Sequence, residues 1–290
     1  METQILLKLK YDNSGRIIWS QDQLDYVVKK YYKTYSTPLI AKEFNTTRTS
    51  IRRALRKQGV KILSLSEIHH LRYPKDSSFF KEINTPQKAY WLGFLYADGN
   101  ISNDEISLAL QISDESHIKK FQRAIGAINN KIQYPITHRN NKDFPQVKIS
   151  FRDKQMAKDL ADKGCIPNKT LKLNFPYDKL PEELYSHFIR GVMDGDGNLG
   201  WSNYNLKTNF HIGFTGTEEL LKGIKEILKK PELKMENRGK VFYFSISGNQ
   251  QLLKILAYIY KDSYDEIELT RKREKYNEFL EYMENKNYGN

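Results

Sequence analysis

A twelve-residue apolar segment occurs twice in this chain, and that repeat limits its fold more than any other feature. Ala89–Asn100 reads AYWLGFLYADGN and His187–Asn198 reads HFIRGVMDGDGN, at an offset of 98 residues. Gly93 meets Gly191, Asp98 meets Asp196, Gly99 meets Gly197 and Asn100 meets Asn198. The residues C-terminal to each segment also repeat. Ile106, Leu108, Leu110 and Ile112 alternate with Ser107, Ala109, Gln111 and Ser113, while Phe210, Ile212 and Phe214 alternate with Asn209, His211 and Gly213. This period of two predicts strands with one apolar face. A helix then starts at Asp114, with Ile118, Phe121 and Ile125 inward, and its mirror starts at Thr217, with Leu220, Leu221, Ile224 and Leu228 inward. Strands near 131–139 and 146–152 are mirrored near 233–237 and 240–247, and helices near 153–163 and 249–261 close the copies. The expected class is α+β: two pseudo-symmetric αββαββα units, 85–180 and 181–290.

The residues ahead of the repeat read differently. Residues 1–84 hold sixteen Lys/Arg against eight Asp/Glu, +8 of the chain's net +12. Such a surplus points to a polyanionic partner. From Ile17 to Ile62 the pattern is helical. Leu24, Val27, Val28 and Tyr31 define a first helix, Ser36–Asn45 a short second one with Pro38 in its first turn, and Thr46 or Thr47 caps a third that Gly59 ends. Arg48, Arg52, Arg53, Arg56 and Lys57 lie on the third helix. A short helix, a tight polar turn and a basic helix form a helix-turn-helix pattern, so 1–62 is expected to be a small all-α DNA-binding domain. Thr47, Arg48, Ser50 and Arg52 would stand near base edges. Residues 63–84 read as a linker that includes His69 and His70, since adjacent histidines cannot share one face.

Several classes fall away. One cysteine, Cys165, leaves no disulfide framework and no cysteine-built metal site. No stretch approaches the roughly 20 apolar residues of a membrane span, and the start lacks a secretion signal. An intracellular protein in cytoplasm, nucleoid or organelle is expected.

Trp91–Gly99 and Ile189–Gly197 resemble the two copies of the motif of single-chain LAGLIDADG homing endonucleases, and the resemblance covers roughly 85–280. In such a pair, mid-helix glycines let two helices touch backbone to backbone, here at Gly93 and Gly191, so that the carboxyl ends carry Asp98 and Asp196 side by side. The resemblance implies that these acids hold the divalent metal, Mg²⁺ with Mn²⁺ as a substitute, that cuts double-stranded DNA. It implies a basic residue beside each metal site. Lys169 lies 27 residues ahead of Asp196, and an offset of 103 carries it to Lys272, with Lys275 competing. The same offset carries Asp114 to Thr217. Asp114 then resembles a water-positioning residue, and fits a helix N-cap equally well. The first acid of the motif is Tyr96 in copy one and Asp194 in copy two, and Asp194 reads as structural.

In the resembled fold the strands form a saddle on the major groove. The polar faces offer Ser107, Gln111, Gln133, Thr137, Arg139, Lys148 and Ser150 in copy one, and Asn203, Asn205, Lys207, Asn209, His211, Tyr243 and Ser245 in copy two. The two lists differ, so a monomer reading an asymmetric target is expected. A staggered double-strand break that mobilises its own gene or intron is the implied activity. Other readings are a helix-turn-helix regulator on an inactive scaffold, or an intron RNA maturase. With no splicing-domain sequence beside the repeats, a free-standing or intron-encoded product fits better than an intein.

Overall fold

The computed structural model describes residues 7–139, 141–166, 172–204 and 207–288, with the side chains of 203, 204, 207, 208, 287 and 288 outside that description. The chain divides into two compact units, Met1–Tyr73 and Pro74–Asn290.

In the first unit, a ribbon of β1 (Lys10–Tyr11) and β2 (Ile17–Ile18) precedes the helices, where the sequence suggests helix alone. Asp12 makes the ribbon. Its carboxylate accepts the amides of Ser14 and Arg16, and Gly15 supplies a left-handed residue at φ 73°. Helix α1 (Gln21–Thr34) opens with a Ser20/Gln23 capping box. Helix α2 (Thr37–Glu43) is capped by Ser36, with Pro38 in its first turn. The chain reverses at Asn45, φ 46°, into α3 (Arg48–Lys57), whose cap Thr47 accepts the Ser50 amide at 3.1 Å. Leu24, Val27, Tyr31, Ile40, Phe44, Ile51 and Leu55 form one buried core, which leaves the arginines of α3 outside.

The expected linker is mostly ordered structure. Ser64 and Glu67 form a second capping box that starts α4 (Leu65–Arg72), so His69 and His70 are helical. Beyond Pro74, Phe79, Phe80 and Ile83 are buried in the core of the second unit. Ser77 donates to Asp153 at 2.6 Å, and Lys75 pairs with the same carboxylate at 3.8 Å. Polar composition suggested a linker here, and the aromatic pair overrides it by burying apolar area.

The second unit repeats itself. Its first half is α5 (Pro86–Ala97), β3 (Gly99–Ser102), β4 (Glu105–Gln111), α6 (Glu115–Ala124), β5 (Ile132–Gln133), β6 (Ile136–Arg139), β7 (Lys142–Arg152) and α7 (Lys154–Asp162). Its second half is α8 (Tyr185–Asp196), β8 (Asn198–Tyr204), β9 (Lys207–Gly216), α9 (Glu218–Ile227), β10 (Glu236–Asn237), β11 (Phe242–Ser247) and α10 (Asn249–Ile259), followed by α11 (Thr270–Tyr288). The antiparallel sheets run β3-β4-β7-β5, with β6 also on β7, and β8-β9-β11-β10, the same order in both halves. Ile106, Leu108 and Leu110 face the core as expected. Ile112 does not: the strand ends at Gln111, and a 3₁₀ turn over Ile112–Asp114 leaves Ile112 41% exposed.

Helices α5 and α8 form the centre of this unit. A Cβ on Gly93 would overlap the Phe188 carbonyl oxygen, and one on Gly191 would overlap that of Tyr90. Two backbones in direct contact leave no room for a methyl group. Gly93→Ala and Gly191→Ala are therefore expected to destabilise the unit by about 1–3 kcal/mol, although alanine ordinarily favours a helix over glycine by about 1 kcal/mol. Urea unfolding measures this. A midpoint at or above that of the parent protein would mean that the seam opens without cost.

Candidate active site and nucleic-acid interface

Close packing persists to the carboxyl ends of the two helices. A Cβ on Gly195 would overlap that of Ala97 and lie 3.2 Å from Oδ2 of Asp98. Asp98 is the C-cap of α5 and is half-buried; Asp196 is the last residue of α8 and is exposed. Burial, with a lesser part from Arg271, lowers the Lys272 ammonium to about 8, while Asp194 foremost, then Asp98 and Asp196, pull it back up. Its Nζ donates to the carbonyls of Met193, of Asp194 at 2.9 Å and of Gly197 at 2.7 Å. These acceptors lie at the negative end of α8, where a cation is favoured, and the Met193 carbonyl also accepts the Gly197 amide at 2.9 Å. An ammonium has three protons, and all three are used here. Lys272 therefore offers the acid end a fixed charge rather than a spare N–H. Lys275 is exposed and pairs with Glu278 at 2.9 Å. Lys169 lies outside the described residues.

Asp114 occupies the N-cap position of α6, but its side chain caps nothing. Only 6% exposed, the carboxylate instead accepts from Arg271 Nε at 3.1 Å and Gln111 Nε2 at 3.1 Å. The capping expectation fails because a buried carboxylate gains more from a guanidinium than from an amide. Thr217, its counterpart, does cap, accepting the Leu220 amide at 3.2 Å.

The donor set at the acid end is all oxygen: two carboxylates and peptide carbonyls. That chemistry suits a hard divalent cation. Among the described residues no group of three His, Cys, Asp or Glu could hold a metal by itself.

Strand register assigns the sheet faces. Ser107 lies opposite Ser150, Ala109 opposite Lys148, Gln111 opposite Gln146, and Gln133 also opposite Lys148, all on the face away from Ile106, Leu108 and Ile149. Thr137 and Arg139 continue that face opposite Phe144 and Lys142. Gln111, Thr137, Arg139, Phe144 and Gln146 line a cavity of about 440 Å³ on it. In the second sheet, Asn209 pairs with Ser202, His211 with Gly200 and Ser247, Ser245 with Gly213, and Tyr243 with Thr215. The ring of Tyr243 covers Gly213, and Arg238 stacks on it at 3.7 Å. The side chain of Asn203 lies outside the described residues. Asn205 and the side chain of Lys207 lie outside the described residues. In the first unit Arg48, Arg52, Arg53 and Arg56 are all exposed on α3, and Ser50 bonds the hydroxyl of Thr47 at 2.9 Å.

No family model matches the chain, and no curated protein matches it significantly. Solved structures do. The similarity is to LAGLIDADG endonucleases held on DNA. The meganuclease I-SmaMI bound to uncleavable DNA is 12% identical with a TM-score of 0.44, over 71% of this chain and 92% of that one. The LAGLIDADG meganuclease I-CpaMI bound to uncleaved DNA is 12% identical with a TM-score of 0.45, over 68% and 90%. The LAGLIDADG homing endonuclease I-GzeII in complex with its DNA target is 12% identical with a TM-score of 0.42, over 62% and 84%. At such identities the likeness assigns no role to any side chain here. No helix among the described residues is long and apolar enough to cross a membrane.

Behind the acids lies a buried polar network that single-sequence reading misses. Asp194 is fully buried. Its Oδ2 accepts from Tyr90 Oη at 2.8 Å and from the Leu269 amide at 2.8 Å. Having donated its one proton, Tyr90 must accept from His117 Nε2 at 3.0 Å, which fixes the neutral Nε2–H tautomer. Arg190, also fully buried, donates to the carbonyls of Ile267 and Ile259 at 2.8 and 2.7 Å and to His187 Nδ1 at 2.8 Å. These partners lie 27 to 104 residues apart, apart from His187, so no local pattern betrays them. Arg271, 157 residues from Asp114, escapes notice for the same reason.

Burial, first, and the neighbouring Arg190 push His187 down from 6.5 to about 4, and burial holds His117 well below 6.5. Below about 6.5 the unfolded chain takes up protons that these two rings refuse when folded. Stability from them is therefore complete above 6.5 and is lost as the pH falls toward 4. The urea midpoint should drop between pH 7 and pH 5, and ring NMR should find His187 titrating near 4. A His187 titration near 6.5 would contradict this packing.

Proposed function

We propose that the chain is a LAGLIDADG-type homing endonuclease. On this reading it makes a metal-dependent, staggered double-strand break in a long asymmetric DNA target, and so promotes the mobility of its own gene or intron. The observation that carries this is the glycine-packed helix pair, whose shared end bears one carboxylate from each repeat, Asp98 and Asp196. Two acids at the junction of a pseudo-two-fold pair suit a reaction performed once on each of two antiparallel strands.

Mg²⁺, or Mn²⁺ in its place, would supply Lewis-acid stabilisation of the phosphate and a more acidic bound water. Asp98 and Asp196 would hold it. Lys272 holds the end of α8 in place and keeps positive charge beside both acids as negative charge builds on the phosphate. Lys169 is the proposed counterpart on the other side. Asp114, held by Arg271 and Gln111, fixes the edge of the polar face rather than contacting bulk water. The two polar faces would form the major-groove saddle, with Gln111, Gln133, Arg139, Lys148, His211 and Tyr243 supplying directed contacts. Their difference supports an asymmetric site and a protein that acts as a monomer. The basic face of α3 supports a helix-turn-helix role for the first unit, with Arg48, Ser50, Arg52, Arg53 and Arg56 on DNA.

Purified protein with Mg²⁺ and genomic DNA, with all new ends sequenced, tests the reading. A few recurrent staggered breaks are expected. They should be absent with EDTA and reduced on the order of a hundredfold or more in Asp98→Asn and Asp196→Asn. Tight specific binding with no metal-dependent ends would favour a regulator instead. Arg52→Ala should weaken DNA binding and lower the salt slope by about 1. An unchanged slope in a binding titration from 50 to 300 mM salt, on the order of the range where phosphate contacts are lost, would take this residue off the phosphate backbone.

A further inference from the structure

We infer that Asp194 is a positioning residue for the reaction, setting the Leu269–Lys272 segment in register with the acid pair. The inference rests on the endonuclease reading above. Asp194 and this segment are joined in both directions. The Asp194 carboxylate accepts the Leu269 amide at 2.8 Å, and three residues later the Lys272 ammonium donates back to the Asp194 carbonyl at 2.9 Å. A closed pair of bonds of this kind fixes both the position and the rotation of the first turn of α11 against the last turn of α8. Arg271, between the two anchors, extends from that turn to Asp114 of the first repeat at 3.1 Å. The second acceptor bond of Asp194, from Tyr90 at 2.8 Å, comes from α5, so the same carboxylate also spans the helix seam.

The first repeat has no carboxylate at the matching position: Tyr96 stands there, its hydroxyl donating to the Lys163 carbonyl, and the counterpart of Lys272, Lys169, lies outside the described residues. A carboxylate tether that only the second repeat carries should act on one of two cleavage steps. A carboxylate serving only the core would affect both steps alike.

The test uses supercoiled plasmid carrying the mapped target, sequencing the nicked intermediate, at enzyme concentrations that saturate binding. Asp194→Asn keeps the shape of the side chain and removes the charge that attracts both donors. It should slow one strand by about ten- to hundredfold, with the nick always on the same strand and DNA affinity unchanged. Tyr90→Phe removes one bond and leaves the Leu269 tether, so it should give the same bias, smaller, and remains informative if Asp194→Asn does not fold. Equal slowing of both strands by the folded variants, or no slowing, overturns the inference. Hydrogen exchange separates this failure from failure of the nuclease reading. Amides 267–273 should exchange faster in Asp194→Asn whether or not any DNA is cut, and unchanged exchange there also overturns it.

Discussion

Direct backbone contact between α5 and α8 is the constraint on which the rest of the second unit depends. Gly93 against the Phe188 carbonyl and Gly191 against the Tyr90 carbonyl set how closely the two repeats approach. Because packed interiors tolerate little added volume, that spacing carries through to the helix ends and determines where Asp98 and Asp196 stand. The same contact ties together the two halves.

Burying Arg190, Asp194 and Lys272 near this seam would be costly if each stood alone. None does. Arg190 is taken up by two carbonyls and an imidazole, Lys272 by three carbonyls, and Asp194 by a phenol and an amide. Most of these partners are backbone atoms at the end of α8 or in the segment 259–269, so the charges act as staples between α8 and the C-terminal part of the chain. Such charge-assisted bonds are directional in a way that apolar contact is not. The acid end is built by fixed dipoles rather than by loose side chains.

The two sheets share a strand order but not a surface. One carries Gln111, Gln133, Arg139 and Lys148 on its polar face; the other carries Asn209, His211, Ser245 and a Tyr243 stacked under Arg238. Symmetric cores with divergent outer faces are what a two-fold scaffold needs in order to meet an asymmetric partner. The first unit obeys the same logic with helices: Ile51, Ala54 and Leu55 of α3 are committed to its core, which leaves four arginines to solvent.

Much of this could be read from residue order, because it is local. The repeat, the alternation in β4 and β9, the Thr47 and Thr217 caps and the glycine seam all depend on neighbours within a few residues or on a period that survives in the chain. Where reading failed, a distant partner had decided. Asp114 turned from capping α6 to meet Arg271, and Phe79 and Phe80 drew a polar stretch into the core. Tyr90, His117 and Arg190 gained partners that no spacing rule reaches. By itself the sequence determined the class of fold, its two-fold repeat and the pair of acids. Only the tertiary structure decided what holds Lys272 at the end of α8, since long-range hydrogen bonds leave no period in the chain that makes them.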